Sequence, residues 1–138
     1  MWPKSFWYKV YEPFIRKAAG LGVASTKHDK ERYEHKYEYC DLLIAGSGPS
    51  GLASAYAAAK NGARVILAED KARHGGTLLT SDVNIGNQSG KEWADGIISE
   101  LKEMPNVIVK NRSQVFGYYD HNMLVMSERI SDHLPETK

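Results

Sequence analysis

Short apolar runs alternate with longer amphipathic stretches from residue 40 onward, in the order of a β-α-β unit. Leu42 to Ala45 form one apolar run, and Arg64 to Ala68 form a second that is apolar after its first residue. Four consecutive apolar residues indicate a strand that is buried on both faces of a parallel sheet. Between the runs lies an alanine-rich segment closed by Asn61-Gly62, which is typical of a helix with a left-handed cap. The pattern predicts two buried parallel strands joined by a helix.

The pattern continues with another helix and another strand. Ser89 and Glu92 have the spacing of a capping box, and the apolar stripe that follows predicts a helix continuing through Met104. Val107 and Val109 then indicate a third parallel strand beside the first two.

Residues 114–119 and 123–128 predict two further strands. Between them lie Asp120, His121 and Asn122, whose side chains favour a turn. We therefore expect a β-hairpin after the third parallel strand.

The first 39 residues differ from the rest, because they contain nine of the chain's 14 aromatic residues. Phe6, Val10 and Phe14 share a helical face that Pro13 interrupts, which predicts two short helices and then a polar, extended connector. We expect two regions, an aromatic-rich helical arm with its connector at residues 1–39 and an α/β domain at 40–138. The arm needs a packing surface. Two surfaces remain open: its own nucleotide domain, or else parts of the same protein outside this sequence or a separate partner.

A glycine-rich sequence, G-x-G-x-x-G, joins the first strand to its helix. Gly46 can adopt the dihedrals of a tight turn, Gly48 has no Cβ to block a pyrophosphate, and Gly51 lets the helix pack against the strand. Pro49 lies in the first helical turn, where a missing N–H costs little. The helix N-terminus offers N–H groups and a positive dipole end to phosphates. The predicted cofactor-binding residues of this loop are Gly46, Ser47, Gly48, Pro49, Ser50 and Gly51.

An acidic residue, Glu69, ends the second strand, and Asp70 follows it; both are predicted to bind the cofactor. Its distance from the glycines is close to the spacing of about 20 residues expected for a ribose-binding carboxylate. Such a carboxylate accepts hydrogen bonds from ribose hydroxyls and repels a 2′-phosphate, which favours NAD or the ADP half of FAD over NADP. The alternative is an ordinary β-α-β unit with a glycine-rich turn. The agreement of strand, loop, helix and acid favours the dinucleotide site.

A glycine pair, Gly75-Gly76, follows soon after the acid and precedes Thr77, and these three residues are also predicted to bind the cofactor. Such a pair is typical of two-dinucleotide-binding flavoproteins, where it lets the backbone pass close to the cofactor. The alternative is a flexible loop, because glycine doublets are common in turns. The expected fold class is α/β: a partial Rossmann-like domain of the two-dinucleotide-binding flavoprotein type, in the order βαβ-α-β plus a β-hairpin, preceded by the helical arm.

Composition excludes several function classes. The chain is 42% hydrophobic and 25% charged with a net charge of +1, so no basic patch points to nucleic acid or to a membrane. The single cysteine excludes an internal disulfide and fits a reducing cytoplasm. The five histidines match no metal-ligand spacing. No nucleophile or general base stands out, so we predict no catalytic and no metal-binding residue and assign any redox chemistry to the cofactor.

Three runs of the chain resemble the α subunit of heterotetrameric sarcosine oxidase: residues 1–22, 32–41 and 116–122. Many flavoproteins share the glycine motif, whereas the Tyr-Glu-Pro and Tyr-Tyr-Asp-His-Asn runs are rarer and carry the resemblance. Ser50 stands where that family usually has alanine. Family members are several-fold longer, so the chain is expected to be a fragment of such a subunit and to be inactive in isolation.

The resemblance implies a function in the oxidative demethylation of sarcosine to glycine, with formation of peroxide and methylene-tetrahydrofolate. It implies NAD at the α subunit's dinucleotide site, with FAD and FMN elsewhere in the assembled enzyme. The implied partners are the remainder of the α subunit and the β, γ and δ subunits. Two alternatives remain: the α subunit of a related FAD-dependent amine, proline or opine dehydrogenase, and a non-catalytic nucleotide-binding or interaction fragment. The residues leave NAD and FAD both possible.

Overall fold

The computed structural model describes residues 6–22, 25–28, 33–131 and 134, which fall into two units, Met1–Lys36 and Tyr37–Lys138. The domain boundary expected at residue 39 stays a prediction. In the first unit a π-helix, Trp7–Tyr11, leads directly into α1, Glu12–Ala18, which has its proline in the first turn. The second arm helix thus begins near Pro13, as predicted. Neither helix has a buried residue, and Phe14 is 73% exposed.

The second unit contains a three-stranded parallel sheet. Its strands are β1, Leu42–Ala45, β2, Val65–Ala68, and β5, Val107–Lys110, in the order β1-β2-β5. Helix α2, Pro49–Lys60, connects β1 to β2, and α3, Gly90–Glu103, precedes β5. The predicted α/β class and the third parallel strand are confirmed.

The core lies between the sheet and these two helices. All four residues of β2 are buried, because β2 has a paired strand on each side and a helix layer against one face. The fully buried leucines and valine are Leu52 of α2, Val65 and Leu67 of β2, and Leu101 of α3. Burying each such side chain contributes about 1.5–3 kcal/mol, so this layer supplies much of the unit's stability.

Strand β1 differs from the expectation. It was predicted to be buried on both faces, yet Leu42 is 38% exposed and Ala45 is also exposed. The reason is its position: among the described residues β1 pairs only with β2, so it lies at the edge of the sheet. Four apolar residues in a row predicted the strand correctly, but they carry no information on its number of neighbours.

Helix α3 begins with the predicted capping box. Ser89 Oγ accepts a hydrogen bond from the Glu92 backbone N–H at 3.2 Å, and Glu92 Oε2 accepts one from the Ser89 backbone N–H at 2.9 Å. The helix ends at Glu103, with Met104 as its C-cap. Two short strands, β3 at Asn84–Ile85 and β4 at Gln88–Ser89, precede it and were not predicted.

The predicted hairpin is confirmed. Strand β6, Ser113–Tyr119, pairs antiparallel with β7, Met123–Glu128, across a turn in which His121 and Asn122 have φ of 61° and 58°. The Ser113 backbone N–H donates to the Glu69 carbonyl oxygen at 2.7 Å, which fixes the start of β6 at the carboxyl end of β2. The hairpin therefore enters beside the strand end where the sequence predicts a ligand. None of the helices in the described ranges has the length and apolar composition to cross a membrane.

Candidate functional site

The loop from Gly46 to Gly51 joins β1 to α2 and is shaped by its own backbone. Gly46 has a φ of 100°, in the region that favours glycine, and its N–H donates to the Ala68 carbonyl oxygen at 2.7 Å. A Cβ on Gly51 would overlap the carbonyl oxygen of Gly46. These two glycines therefore let the loop turn sharply and let the helix start close to the strand, as predicted.

Gly48 has no such reason to be glycine. Its φ of −67° and ψ of −177° are open to any residue, and a Cβ placed there would meet no atom within 4 Å. It is the N-cap of α2, and Pro49 opens the helix. The N–H groups of a first helical turn have no acceptor within their own helix, and the helix dipole is positive there. The space beside Gly48 fits an anionic group such as a pyrophosphate.

The carboxylate of Glu69 lies against this loop. Its Oε2 accepts hydrogen bonds from the Ser47 backbone N–H at 2.8 Å and from the Ser47 hydroxyl at 2.6 Å. Its Oε1 accepts one from the Lys71 N–H at 3.2 Å. Burial acts to raise the pKa of Glu69, but hydrogen bonds bring the pKa down to about 2. The largest of these effects comes from the Ser47 side chain, followed by the Asp70 side chain and then the backbone N–H groups of Ser47 and Lys71. The acid is therefore ionised and linked to the loop at neutral pH.

The second glycine pair packs on the same loop. The Gly75 N–H donates to the Ser47 carbonyl oxygen at 2.9 Å, and a Cβ on Gly76 would lie 2.9 Å from the Gly48 Cα. Both glycines have positive φ, 121° and 54°. Contact with the other loop thus suffices to require glycine at position 76, and at position 75 the positive φ and the nearby Leu79 side chain do so. Contact of either glycine with a cofactor stays a prediction.

A cavity of about 310 Å³ opens at the carboxyl ends of β1 and β2, next to the loop. Ligands of open α/β sheets bind at this end of the strands. Of the predicted residues, Gly46 and Asp70 line the cavity. The first residues of β6 also line it and were missed, because only the folded hairpin brings them there. The lining consists of Ala45, Gly46, Ala68, Asp70, Ser113, Gln114 and Val115.

The structure does not bring every predicted residue into this cluster. Ser50 and Thr77 are both exposed, and their side chains form no hydrogen bond with the loop or with Glu69 in the described part of the chain. Within that same part, no three His, Cys, Asp or Glu side chains converge as a metal site.

Sequence reasoning missed His74. This side chain is partly buried, and its Nδ1 lies 3.0 Å from Ser47 Oγ. Burial lowers the pKa of His74, and Lys102 lowers it further, while Glu69 acts to raise it. Its position directly before Gly75 was the available signal, since Gly75 packs on the same loop.

Comparison with known proteins agrees with this geometry. A family model described as FAD dependent oxidoreductase matches residues 41–124. The chain is 45% identical over 136 residues to the sarcosine oxidase subunit alpha of Rhizobium meliloti (strain 1021), a match covering 99% of the chain and 14% of that relative. It is 36% identical over 117 residues to the sarcosine oxidase subunit alpha of Corynebacterium sp. (strain U-96), covering 84% of the chain and 12% of that relative. The predicted resemblance to this subunit is confirmed, over a small share of its length.

Among solved structures, the chain resembles the crystal structure of L-proline dehydrogenase from P. horikoshii with a TM-score of 0.57. The match covers 70% of this chain and 21% of that chain at 19% identity. Identity that low supports the fold alone.

Proposed function

We propose, given that the chain belongs to the FAD dependent oxidoreductase family, that its α/β unit binds the ADP moiety of FAD or NAD at residues 46–51. The observation that carries this proposal is Gly48. Gly51 and Gly76 are crowded by the chain itself, and Gly46 needs its positive φ, but nothing in the described chain requires glycine at position 48. A group outside the chain supplies a reason, and the helix N-terminus beside it favours an anion.

The remaining parts of the site have matching roles in this proposal. The N-terminus of α2 would hold the pyrophosphate, and Glu69 would accept a hydrogen bond from a ribose hydroxyl through Oε1, because Oε2 already accepts two hydrogen bonds from Ser47. The cavity between Asp70 and Val115 takes the nucleoside. A bound flavin would supply hydride acceptance, and the residues of this chain would hold and orient its ADP half.

Similarity to sarcosine oxidase subunit alpha supports a more specific proposal. We infer that the chain is the dinucleotide-binding part of a cytoplasmic protein that takes part in oxidative demethylation of sarcosine to glycine, with peroxide and methylene-tetrahydrofolate as products. Its partners in this proposal are the remainder of an α subunit and β, γ and δ subunits, with further FAD and FMN in the assembly. The rival is a related FAD-dependent amine, proline or opine dehydrogenase.

Isothermal titration of the chain with ADP, NAD⁺, NADP⁺ and FAD tests the binding site. The unchanged chain should bind ADP and at least one of NAD⁺ and FAD, and Gly48→Val should bind none of them. Gly96→Val is the matched control, because Gly96 also has open space around its Cβ position but lies on α3. Equal loss in both variants, or no binding by the unchanged chain, would contradict the proposed site.

The substrate requires a separate experiment. A tagged copy of the chain, expressed in its own organism, should co-purify with the assembled enzyme, and that assembly should release peroxide from sarcosine. Proline offered in parallel is the control for the rival class. Peroxide formation or electron transfer with proline but not with sarcosine would favour the rival dehydrogenase class, and it would not contradict the proposed nucleotide site.

A further inference from the structure

One buried hydroxyl connects three side chains beside the loop. Ser47 Oγ lies 2.6 Å from Glu69 Oε2 and 3.0 Å from His74 Nδ1. Ser47 is fully buried, Glu69 is 6% exposed and His74 is partly buried. Hydrogen bonds in such a setting exchange little with water, so the positions of their protons matter.

The proton positions follow from the chemistry of the three groups. An ionised carboxylate only accepts hydrogen bonds, and a serine hydroxyl has a single proton to donate. At 2.6 Å from Glu69 Oε2, the Ser47 hydroxyl therefore donates to the carboxylate. Its lone pairs then face His74, so His74 Nδ1 carries a proton and donates to Ser47. The arrangement selects one neutral tautomer of the imidazole.

This series of hydrogen bonds distinguishes the two oxygens of Glu69. Oε2 accepts two hydrogen bonds from Ser47, which use both of its lone pairs, whereas Oε1 accepts one from the Lys71 N–H. The loop therefore occupies Oε1 less than Oε2, and the side chain of Asp70 also hydrogen-bonds to Glu69. Rotation of the Ser47 hydroxyl away from Glu69 would leave Oε2 with the Ser47 backbone N–H alone and would loosen the orientation of the carboxylate.

We propose that His74 is a positioning residue of the dinucleotide site, which acts through the Ser47 hydroxyl to hold Glu69 with Oε2 toward the loop and Oε1 toward a ribose hydroxyl. This inference rests on the proposed function. It gives a role to a histidine that lies outside the cavity lining and matches no metal-ligand spacing.

Paired titrations with ADP and 2′-deoxy-ADP test the role, because the difference between them isolates the ribose hydroxyl. The unchanged chain should bind ADP about tenfold more tightly than 2′-deoxy-ADP, the size of one good hydrogen bond. His74→Leu should reduce this ratio to about one, mainly by lowering the affinity for ADP. His74→Asn should keep the ratio, because its amide N–H replaces the Nδ1 donor. His35→Leu, at an exposed histidine, is the matched control.

The outcomes separate this inference from the proposed function. An unchanged ratio in His74→Leu, or an equal loss for both ligands, would overturn the positioning role while ADP binding still supports the site. Absence of ADP binding by the unchanged chain would overturn both. ¹⁵N NMR of the ligand-free chain gives a second measurement that does not depend on the variants folding: the Nδ1–H tautomer of His74 is expected, and the Nε2–H tautomer would overturn the inference.

Discussion

Adding one methyl group at Gly48 and one at Gly51 should have opposite consequences, although only two residues separate the two positions. Gly48 has backbone angles that alanine adopts without strain, and no atom of the described chain lies within 4 Å of the added Cβ. At Gly51 the added Cβ would overlap the carbonyl oxygen of Gly46 and lie 3.4 Å from the Ile44 side chain. The first change adds a group to open space, and the second pushes two backbone segments apart.

The expected magnitudes follow from these contacts. Gly48→Ala should leave the free energy of unfolding unchanged or raise it by about 0.4–1 kcal/mol, since alanine restricts the unfolded chain. Gly51→Ala should lower it by about 1–3 kcal/mol, the usual cost of overpacking. For a domain of about 100 residues, each kcal/mol shifts Tm by roughly 4–8 °C. Thermal unfolding by circular dichroism resolves differences of this size.

The effects of these substitutions on ADP affinity should differ from their effects on stability. A methyl group at position 48 occupies the space proposed for the pyrophosphate, so Gly48→Ala should weaken ADP by about 5- to 150-fold, an overpacking cost of about 1–3 kcal/mol. Gly96→Ala, on the exposed face of α3, should leave ADP affinity unchanged and should raise the free energy of unfolding by about 0.5–1 kcal/mol, because alanine favours a helix interior. Normal ADP affinity in Gly48→Ala would refute the placement of the pyrophosphate, and an unchanged Tm in Gly51→Ala would refute the close approach of loop and helix.

Three further predictions concern the acid and the helix cap. The pKa of Glu69 is lowered to about 2 from an ordinary value of 4.5, so the ionised carboxylate stabilises the fold fully above about pH 4.5 and this contribution is lost as the pH falls toward 2. Urea unfolding should show the free energy of unfolding decreasing by on the order of 3 kcal/mol across this window. The same pH dependence in a Glu69→Gln variant would contradict the assignment to Glu69. Glu69→Ala should weaken the binding of NAD⁺ or FAD by on the order of 1–3 kcal/mol and should reduce the difference in affinity between NAD⁺ and NADP⁺, both measured by titration. Equal affinity of the unchanged chain for NAD⁺ and NADP⁺ would argue against this role of Glu69. Ser89→Ala should lower Tm by about 4–8 °C, because it removes the side-chain cap of α3. Ser50→Ala is the control and should not lower Tm, because the Ser50 side chain caps no helix. Equal shifts in Tm would count against the capping box.

The sequence predicted well those features that depend on neighbouring residues. The turn at Gly46, the start of α2 at Pro49 and the capping box at Ser89 each follow from a few adjacent side chains. The third parallel strand and the hairpin followed from apolar periodicity and from turn-forming residues. Short range is the common property of these features, because backbone preference and local hydrogen bonds decide them.

Features that depend on distant segments were not predictable in the same way. The exposure of β1 depends on how many strands flank it, which its four residues do not encode. Strands β3 and β4 have two residues each, too few to show any periodicity. The contact between His74 and Ser47 joins two loops, 27 positions apart in the chain. Neither residue type nor spacing indicates a hydrogen bond formed only after both loops have folded.

The two oxygens of Glu69 explain why the glycine at position 48 is the sharper probe of this site. Oε2 holds the loop through the Ser47 N–H and hydroxyl, so removing the carboxylate changes the shape of the loop as well as any contact with ribose. Loss of binding in a Glu69 variant therefore has two causes that an affinity alone does not separate. An added Cβ on Gly48 meets no atom of the described chain within 4 Å, so a methyl group there leaves Glu69, Ser47 and His74 in place. A binding defect confined to that substitution has a single physical source, the volume beside the helix N-terminus.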